Sequence, residues 1–200
     1  FITVNGLTIT LKGADENQTI NLNVTKDTQA VYDMVKKFVT SYNEIIKEMN
    51  NLYYASSSRG YDPLTDEQKE AMTEDEITKW ETKIKDSILR RDSTLGSLLD
   101  TMKLSRMTHV EYEVKKYSLA SFGIQTSEDY SEKGLLHIFG DSDDSGYATY
   151  ENKLMKAIED DPDAVAEVLA GISKKLYDEM YQKMKSIPNV RSALTFYNDK

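Results

Sequence analysis

Asp141, Asp143, Ser145 and Gly146 stand in the stretch FGDSDDSGYATYENKL (139–154) at the spacing a calcium loop uses for its first, third, fifth and sixth positions. Oxygen donors on alternate residues, followed by a glycine that lets the chain turn, are what a hard cation needs in order to be wrapped by one loop. The pattern also requires a bidentate glutamate at the twelfth position and a helix leading in. Here the twelfth residue is Asn152, Glu151 falls one place early, and GLLHIF (134–139) before the run reads as a strand. Asp141, Asp143 and Ser145 are therefore calcium candidates with two departures from the pattern. The simpler expectation is a solvated turn between strand and helix, whose serine and aspartates cap the helix that follows.

Other reactive groups are sparse. His109 and His137 lie outside any paired metal-ligand spacing, and the absence of cysteine removes thiolate chemistry and disulfide frameworks. Gly134, Gly140 and Gly146 recur six apart without opening a helix, unlike the glycines of a phosphate cradle. Carboxylates such as Glu74 and Glu76 beside Thr73 suit the first turn of a helix, where they complement its dipole. The expectation is no catalytic residue, no cofactor and no enzyme.

Charge narrows the partners. The formal net charge is −9, and residues 128–163 hold eleven acids against three lysines. No basic stripe suits nucleic acid, no basic amphipathic helix suits a membrane surface, and no run of about 18 apolar residues could span one. Neither nucleic acid nor membrane insertion is expected.

The elements that would carry these residues follow from periodicity. ITVNGLTITLK (2–12) alternates around Asn5-Gly6, a strong hairpin signal, and TINLNVTKD (19–27) alternates again. Residues 1–26 read as two or three strands too few to fold alone, the edge of a β domain, and the start at Phe1 inside such a pattern suggests an excised piece. From Asp27 the period becomes helical: Val31, Val35, Phe38, Tyr42, Ile45, Met49 and Leu52 form a helix-packing seam spaced 4, 3, 4, 3, 4, 3. Met34, Val39 and Ile46 widen it, which favours the core of an intramolecular bundle over a two-stranded coiled coil. Capping boxes at Thr65/Gln68 and Thr73/Glu76 predict helices over about 66–72 and 74–90, the second with Ile77, Trp80, Ile84 and Ile88 inward. Asp92 or Ser93 caps another, with Leu95, Leu98, Leu99 and Met102 inward. SFGIQT and GLLHIF predict a β-hairpin near 118–139. Helical pattern returns in ENKLMKAIED and in PDAVAEVLAG, with Pro162 in the first turn and Gly171 just past the end. A last helix over about 172–187 has Ile172, Leu176, Met180 and Met184 inward. The fold class is mainly α (α+β): an elongated helical bundle with a small hairpin and N-terminal strands.

Six segments in order carry a family resemblance: SYNEIIKEMN (41–50), YDPLTDEQKEAMTEDEITKWE (61–81), LRRDSTLGSLL (89–99), SLASFGI (118–124), KGLLHI (133–138) and NKLMKAIEDDPDAV (152–165). Together they resemble the C-terminal half of the bacterial flagellar filament-capping family, flagellar hook-associated protein 2, in its Firmicutes form. The resemblance implies an extracellular structural protein at the distal tip of the flagellum, where a ring of copies retains exported flagellin and assists its insertion. It further implies export through the flagellar type III apparatus with an export chaperone. In its terms residues 1–26 are the last strands of a β-rich head and 27–200 a helical stalk. The coiled-coil legs are then absent, SALTFYNDK (192–200) reading as a helix cut short. No contact residue with flagellin follows from it. The alternative from another class is an extracellular adhesin or binding module using the acidic run with calcium, and a third reading is an intracellular coiled-coil adaptor.

Overall fold

A computed structural model of the chain describes residues 1–4, 7–10, 12, 13, 19 and 27–185. The Asn5-Gly6 turn, nearly all of the 19–27 strand and the 192–200 segment lie outside the described residues. Ile2–Val4 (β1) pairs antiparallel with Leu7–Ile9 (β2), Val4 opposite Leu7, the register a two-residue connection requires.

The described residues hold six α-helices, two short 3-10 turns at Leu119–Phe122 and Tyr130–Glu132, and three two-stranded antiparallel sheets, a mainly α fold with small β elements. The long helix α1 (Thr28–Tyr53) begins where Asp27 accepts the Ala30 amide at 2.9 Å. Its buried row is Tyr32, Val35, Val39, Tyr42, Ile46 and Asn50, and it packs against helices and a strand of the same chain. These positions advance every ~3.6 residues, the pitch of a straight helix, whereas the seam read from sequence advances every ~3.5, the pitch of a supercoil. The buried face is correspondingly rotated.

Asp66–Glu70 (α2) and Glu74–Asp86 (α3) start at complete capping boxes on Thr65 and Thr73. Neither contains a buried residue, so the inward row expected on α3 is a correction: Ile77, Trp80 and Ile84 are half-buried, and Ile88, past the end of the helix, is 69% exposed. Polar and aromatic tethers hold this arm instead. Trp80 Nε1 donates to the Asp62 carbonyl at 2.8 Å, and its ring lies 4.6 Å from that of Tyr61. Ser93–Ser105 (α4), capped by Asp92, does bury Leu95, Leu98, Leu99 and Met102.

Val110–Tyr112 (β3) and Lys115–Tyr117 (β4) form a hairpin that left no signal in the sequence, because Glu113-Val114 supplies neither glycine nor asparagine for the turn. Glu113 takes a φ of 53° to make it. The expected hairpin follows as Ile124–Thr126 (β5) and Leu136–Ile138 (β6). Lys153–Asp160 (α5) leads into Pro162–Met184 (α6), which opens with Asp161 as cap and proline in the first turn. Gly171 does not end a helix. It lies inside α6, where a Cβ would sit 3.0 Å from both Val110 methyls, so the glycine admits β3 against the helix. Consequently the segments expected as 162–170 and 172–187 are one helix. Its late positions turn outward: Leu176 and Met180 are partly buried, and Met184 is 49% exposed.

One core joins α1, α4, α5, α6 and the β5–β6 hairpin. Within it the Tyr42 hydroxyl donates to the Met102 carbonyl at 3.0 Å, and burial pushes its phenol up to about 12, with Arg106 acting slightly the other way. The unfolded chain ionises this tyrosine near pH ~10 while the folded chain does not. Stability should therefore hold below pH ~10 and fall between about 10 and 12, by roughly 2 kcal/mol from this group alone. Tyr42→Phe should be less stable near neutrality yet lose less over that window, as read by urea unfolding at stepped pH.

Candidate functional site

The acidic run lies against the side of α1, and its carboxylates are already occupied. Lys36, one residue beyond buried Val35, points its ammonium at the loop: Nζ is 2.8 Å from Asp141 Oδ2 and 2.5 Å from Asp143 Oδ2. The Asp141 side chain is 8% exposed and that of Lys36 32%, so the pair is partly shielded from water. Burial works against the lysine's charge, but hydrogen bonds to Asp141 and Asp143 outweigh it and hold Lys36 above the ordinary lysine range. Asp141 Oδ1 also accepts the Asp143 amide at 3.2 Å. The two leading calcium candidates thus form an internal ion pair, and a cation would have to displace an ammonium to reach them. Among the described residues no three His, Asp or Glu side chains converge as a metal site.

The rest of the loop is built from local bonds. Gly140 donates to the Tyr147 carbonyl at 2.9 Å, closing the loop, and the Asp144 side chain takes the Gly146 amide at 3.3 Å. His137, on β6, stands between Asp144 (Nδ1, 2.6 Å) and Glu132 (Nε2, 2.8 Å), its ring 4.3 Å from that of Tyr147. Phe139 stacks on Tyr147 at 4.6 Å. The helix that follows is capped by neither the serine nor the aspartates. Asn152 does it: Oδ1 accepts the Met155 amide at 2.9 Å, while Nδ2 donates to the Gly140 carbonyl at 3.1 Å and reaches the Tyr32 hydroxyl at 3.2 Å. The residue that stood in for the twelfth, cation-binding position is the joint between loop, α5 and α1.

Two further asparagines on α1 complete the docking. Asn43 bonds both backbone groups of Leu136, Nδ2 to the carbonyl at 2.7 Å and Oδ1 from the amide at 2.8 Å, so its amide takes the place of a third strand beside β6. Buried Asn50 donates to the Lys133 carbonyl at 3.3 Å. Lys36, Asn43 and Asn50 share one side of the helix, and their spacing of seven carries no hydrophobic signal, so sequence reasoning passed over them. Of the expected seam, Val35 and Tyr42 are buried, and Val31, Phe38, Met49 and Leu52 are partly buried. Ile45 is 50% exposed, its place in the core taken by Ile46. The site is a clamp: a long helix holding a hairpin and an acidic loop through three polar side chains.

A family model described as "Flagellar hook-associated protein 2 C-terminus" matches residues 2–198. The chain belongs to that family. A flagellar hook-associated protein 2 of Halalkalibacterium halodurans is 32% identical over 97% of the chain and 37% of the relative. One from Thermotoga maritima is 25% identical over 90% of the chain and 27% of the relative, and an A-type flagellar hook-associated protein 2 of Pseudomonas aeruginosa is 26% identical over 96% and 37%. The chain therefore spans about a third of the length of these relatives. No solved structure matches it. Among the described residues no helix of this flagellar hook-associated protein 2 family member is long and apolar enough to cross a membrane.

In this family member the ion pair is testable by substitution. Lys36→Met keeps the aliphatic stem but leaves Asp141 without its cation, and should cost about 1–2 kcal/mol in urea unfolding. Asp141→Asn in the same background should recover part of that loss. Calcium at about 1 mM should leave the unfolding midpoint of the unaltered chain where it was, because the carboxylates it needs already hold an ammonium.

Proposed function

We propose that this chain is the stalk region of a flagellar filament cap: an extracellular structural element at the distal tip that helps retain exported flagellin and guide its insertion. The observation that carries the reading is the match to the family over residues 2–198, reinforced by relatives from three organisms that all bear the name flagellar hook-associated protein 2. The fold suits the role. A spacer between a β-rich head and the filament needs a stiff long element, and α1, at 26 residues, is about 39 Å of continuous helix. It also needs appendages fixed in orientation, which the Lys36, Asn43 and Asn50 contacts supply.

In this reading β1 and β2 are the last strands of the head, residues 27–200 are the stalk, and the complete protein works as a ring of several copies escorted by an export chaperone. A cap needs no reactive centre, and no enzymatic step is assigned. The test is genetic and visual. Cells lacking the complete protein should carry few filaments and release unpolymerised flagellin into the medium, and the gene supplied in trans should restore filaments in electron micrographs. Normal filaments in the deletion strain would end the reading.

A further inference from the structure

Lys103, Arg106 and Lys133 line one hollow of about 310 Å³ between the C-terminal end of α4 and the segment linking β5 to β6. The lysines paired with acids among the described residues, Lys36, Lys69, Lys116, Lys156 and Lys174, all lie elsewhere. These three cations instead each rest on a neutral neighbour. The Lys103 ammonium donates to Asn50 Oδ1 at 3.5 Å, and its stem crosses Gly134 so closely that a Cβ there would lie 3.1 Å from its Cγ. Arg106 Nη1 donates to Thr126 Oγ1 at 2.5 Å. The Lys133 ammonium sits 4.2 Å from the centre of the Tyr54 ring.

A hydroxyl, an amide oxygen or an aromatic face orients a cation without cancelling its charge. In a chain of net charge −9 there is no shortage of carboxylates, so three held but unneutralised cations around one hollow mark a place for an external anion. Asp129, the one acid in the lining, accepts the Ser131 amide of its own turn at 2.8 Å and pairs with none of the three, so the lining keeps a net positive charge.

A second hollow of about 350 Å³ shares Arg106 and Thr126 with the first and continues past Met107, Ala120 and Ile124. Met107 is 59% exposed there. The two hollows meet at Arg106 and Thr126 in one groove, with three cations at one end and, at the other, the exposed Met107 and Ala120 beside the polar side chains of His109, Ser118 and Gln125. We propose that this groove docks an extended acidic segment of a partner protein, with carboxylates against Lys103, Arg106 and Lys133 and a nearby apolar side chain against Met107 and Ala120. A small anion would use only the cationic end. An acidic sugar would carry no apolar side chain to cover the exposed Met107. A peptide with acidic and apolar side chains a few residues apart satisfies both ends. The inference stands whether or not the chain caps a filament.

The test is selection of a phage-displayed library of random peptides, about twelve residues long, on the unaltered chain. Enriched sequences should place Asp or Glu within a few residues of Leu, Ile, Met or Phe. Remade as a labelled peptide, the best of them should bind Lys103→Gln/Arg106→Gln/Lys133→Gln at least about tenfold more weakly and lose affinity as salt rises. Met107→Glu, a single change at an exposed position that spares all three cations, should weaken the same peptide by a similar factor. No enrichment, enrichment without acids, or binding to either variant as tight as to the unaltered chain would overturn the proposal. So would full displacement of the peptide by millimolar inorganic phosphate, which would mark an anion site alone. Tighter binding of an oligoglucuronic acid than of any selected peptide would overturn it in favour of an acidic sugar.

Discussion

Gly140→Ala is expected to lower stability by more than about 3 kcal/mol in urea unfolding followed by circular dichroism, while Gly146→Ala in the same loop changes it by less than about 0.5. The difference comes from what a methyl group would meet. At Gly140 it would lie 2.5 Å from both Cα and N of Asn152, backbone atoms that cannot swing aside as the end of a side chain could. The backbone there has a φ of +85°, which itself strains any residue with a Cβ. Asn152 cannot retreat, because its side chain simultaneously caps α5 and holds the Gly140 carbonyl and the Tyr32 hydroxyl. At Gly146 the nearest atom to an added Cβ is Asp144 Oδ1, at 3.5 Å, an ordinary contact. A calcium loop would require the reverse, since its obligatory glycine is the sixth residue, here Gly146. Equal losses at the two positions would refute the account of this loop as a strut on Asn152.

The loop shows how far sequence reached and where it stopped. Its departures from the cation pattern, Asn152 and the preceding strand, were visible in the residues, and so was the β5–β6 hairpin that carries it. The capping boxes at Thr65 and Thr73 were legible because capping is a contact between residues three apart. The bonds from Lys36 to Asp141 and Asp143 join residues more than 100 positions apart, and no local pattern encodes them. The same holds for Gly171: a glycine near a plausible helix end reads as a stop, and only the arrival of Val110 against it explains a glycine within a continuing helix. The β3–β4 hairpin stayed hidden because its turn is made by a strained glutamate instead of a turn residue. The cations of the groove were illegible for a related reason, since their neutral partners Asn50, Thr126 and Tyr54 are scattered along the chain.

The long helix offers the sharpest test of the remaining ambiguity. Ile46→Ala should cost about 3 kcal/mol or more, and its neighbour Ile45→Ala less than about 1. Adjacent residues on a helix are separated by about 100°, so only one of the two isoleucines can face a given core. Ile46 is fully buried and meets the core shared by α1, α4, α5, α6 and the β5–β6 hairpin, so truncation leaves a cavity. Ile45 keeps half its surface in water, and the higher helix propensity of alanine offsets part of what its truncation removes. The sequence held two overlapping apolar rows on this helix, one through Ile45 and one through Ile46. Hydrophobicity alone could not choose between them, because both rows share Val35 and Tyr42. The polar residues decide it. With Asn43 bound to Leu136 and Asn50 to Lys133, the helix is turned so that Ile46 faces inward and Ile45 outward. Were the row through Ile45 instead a seam against another chain, Ile45→Ala would shift the sedimentation of the chain and Ile46→Ala would be the mild substitution. The clamp geometry requires the opposite order.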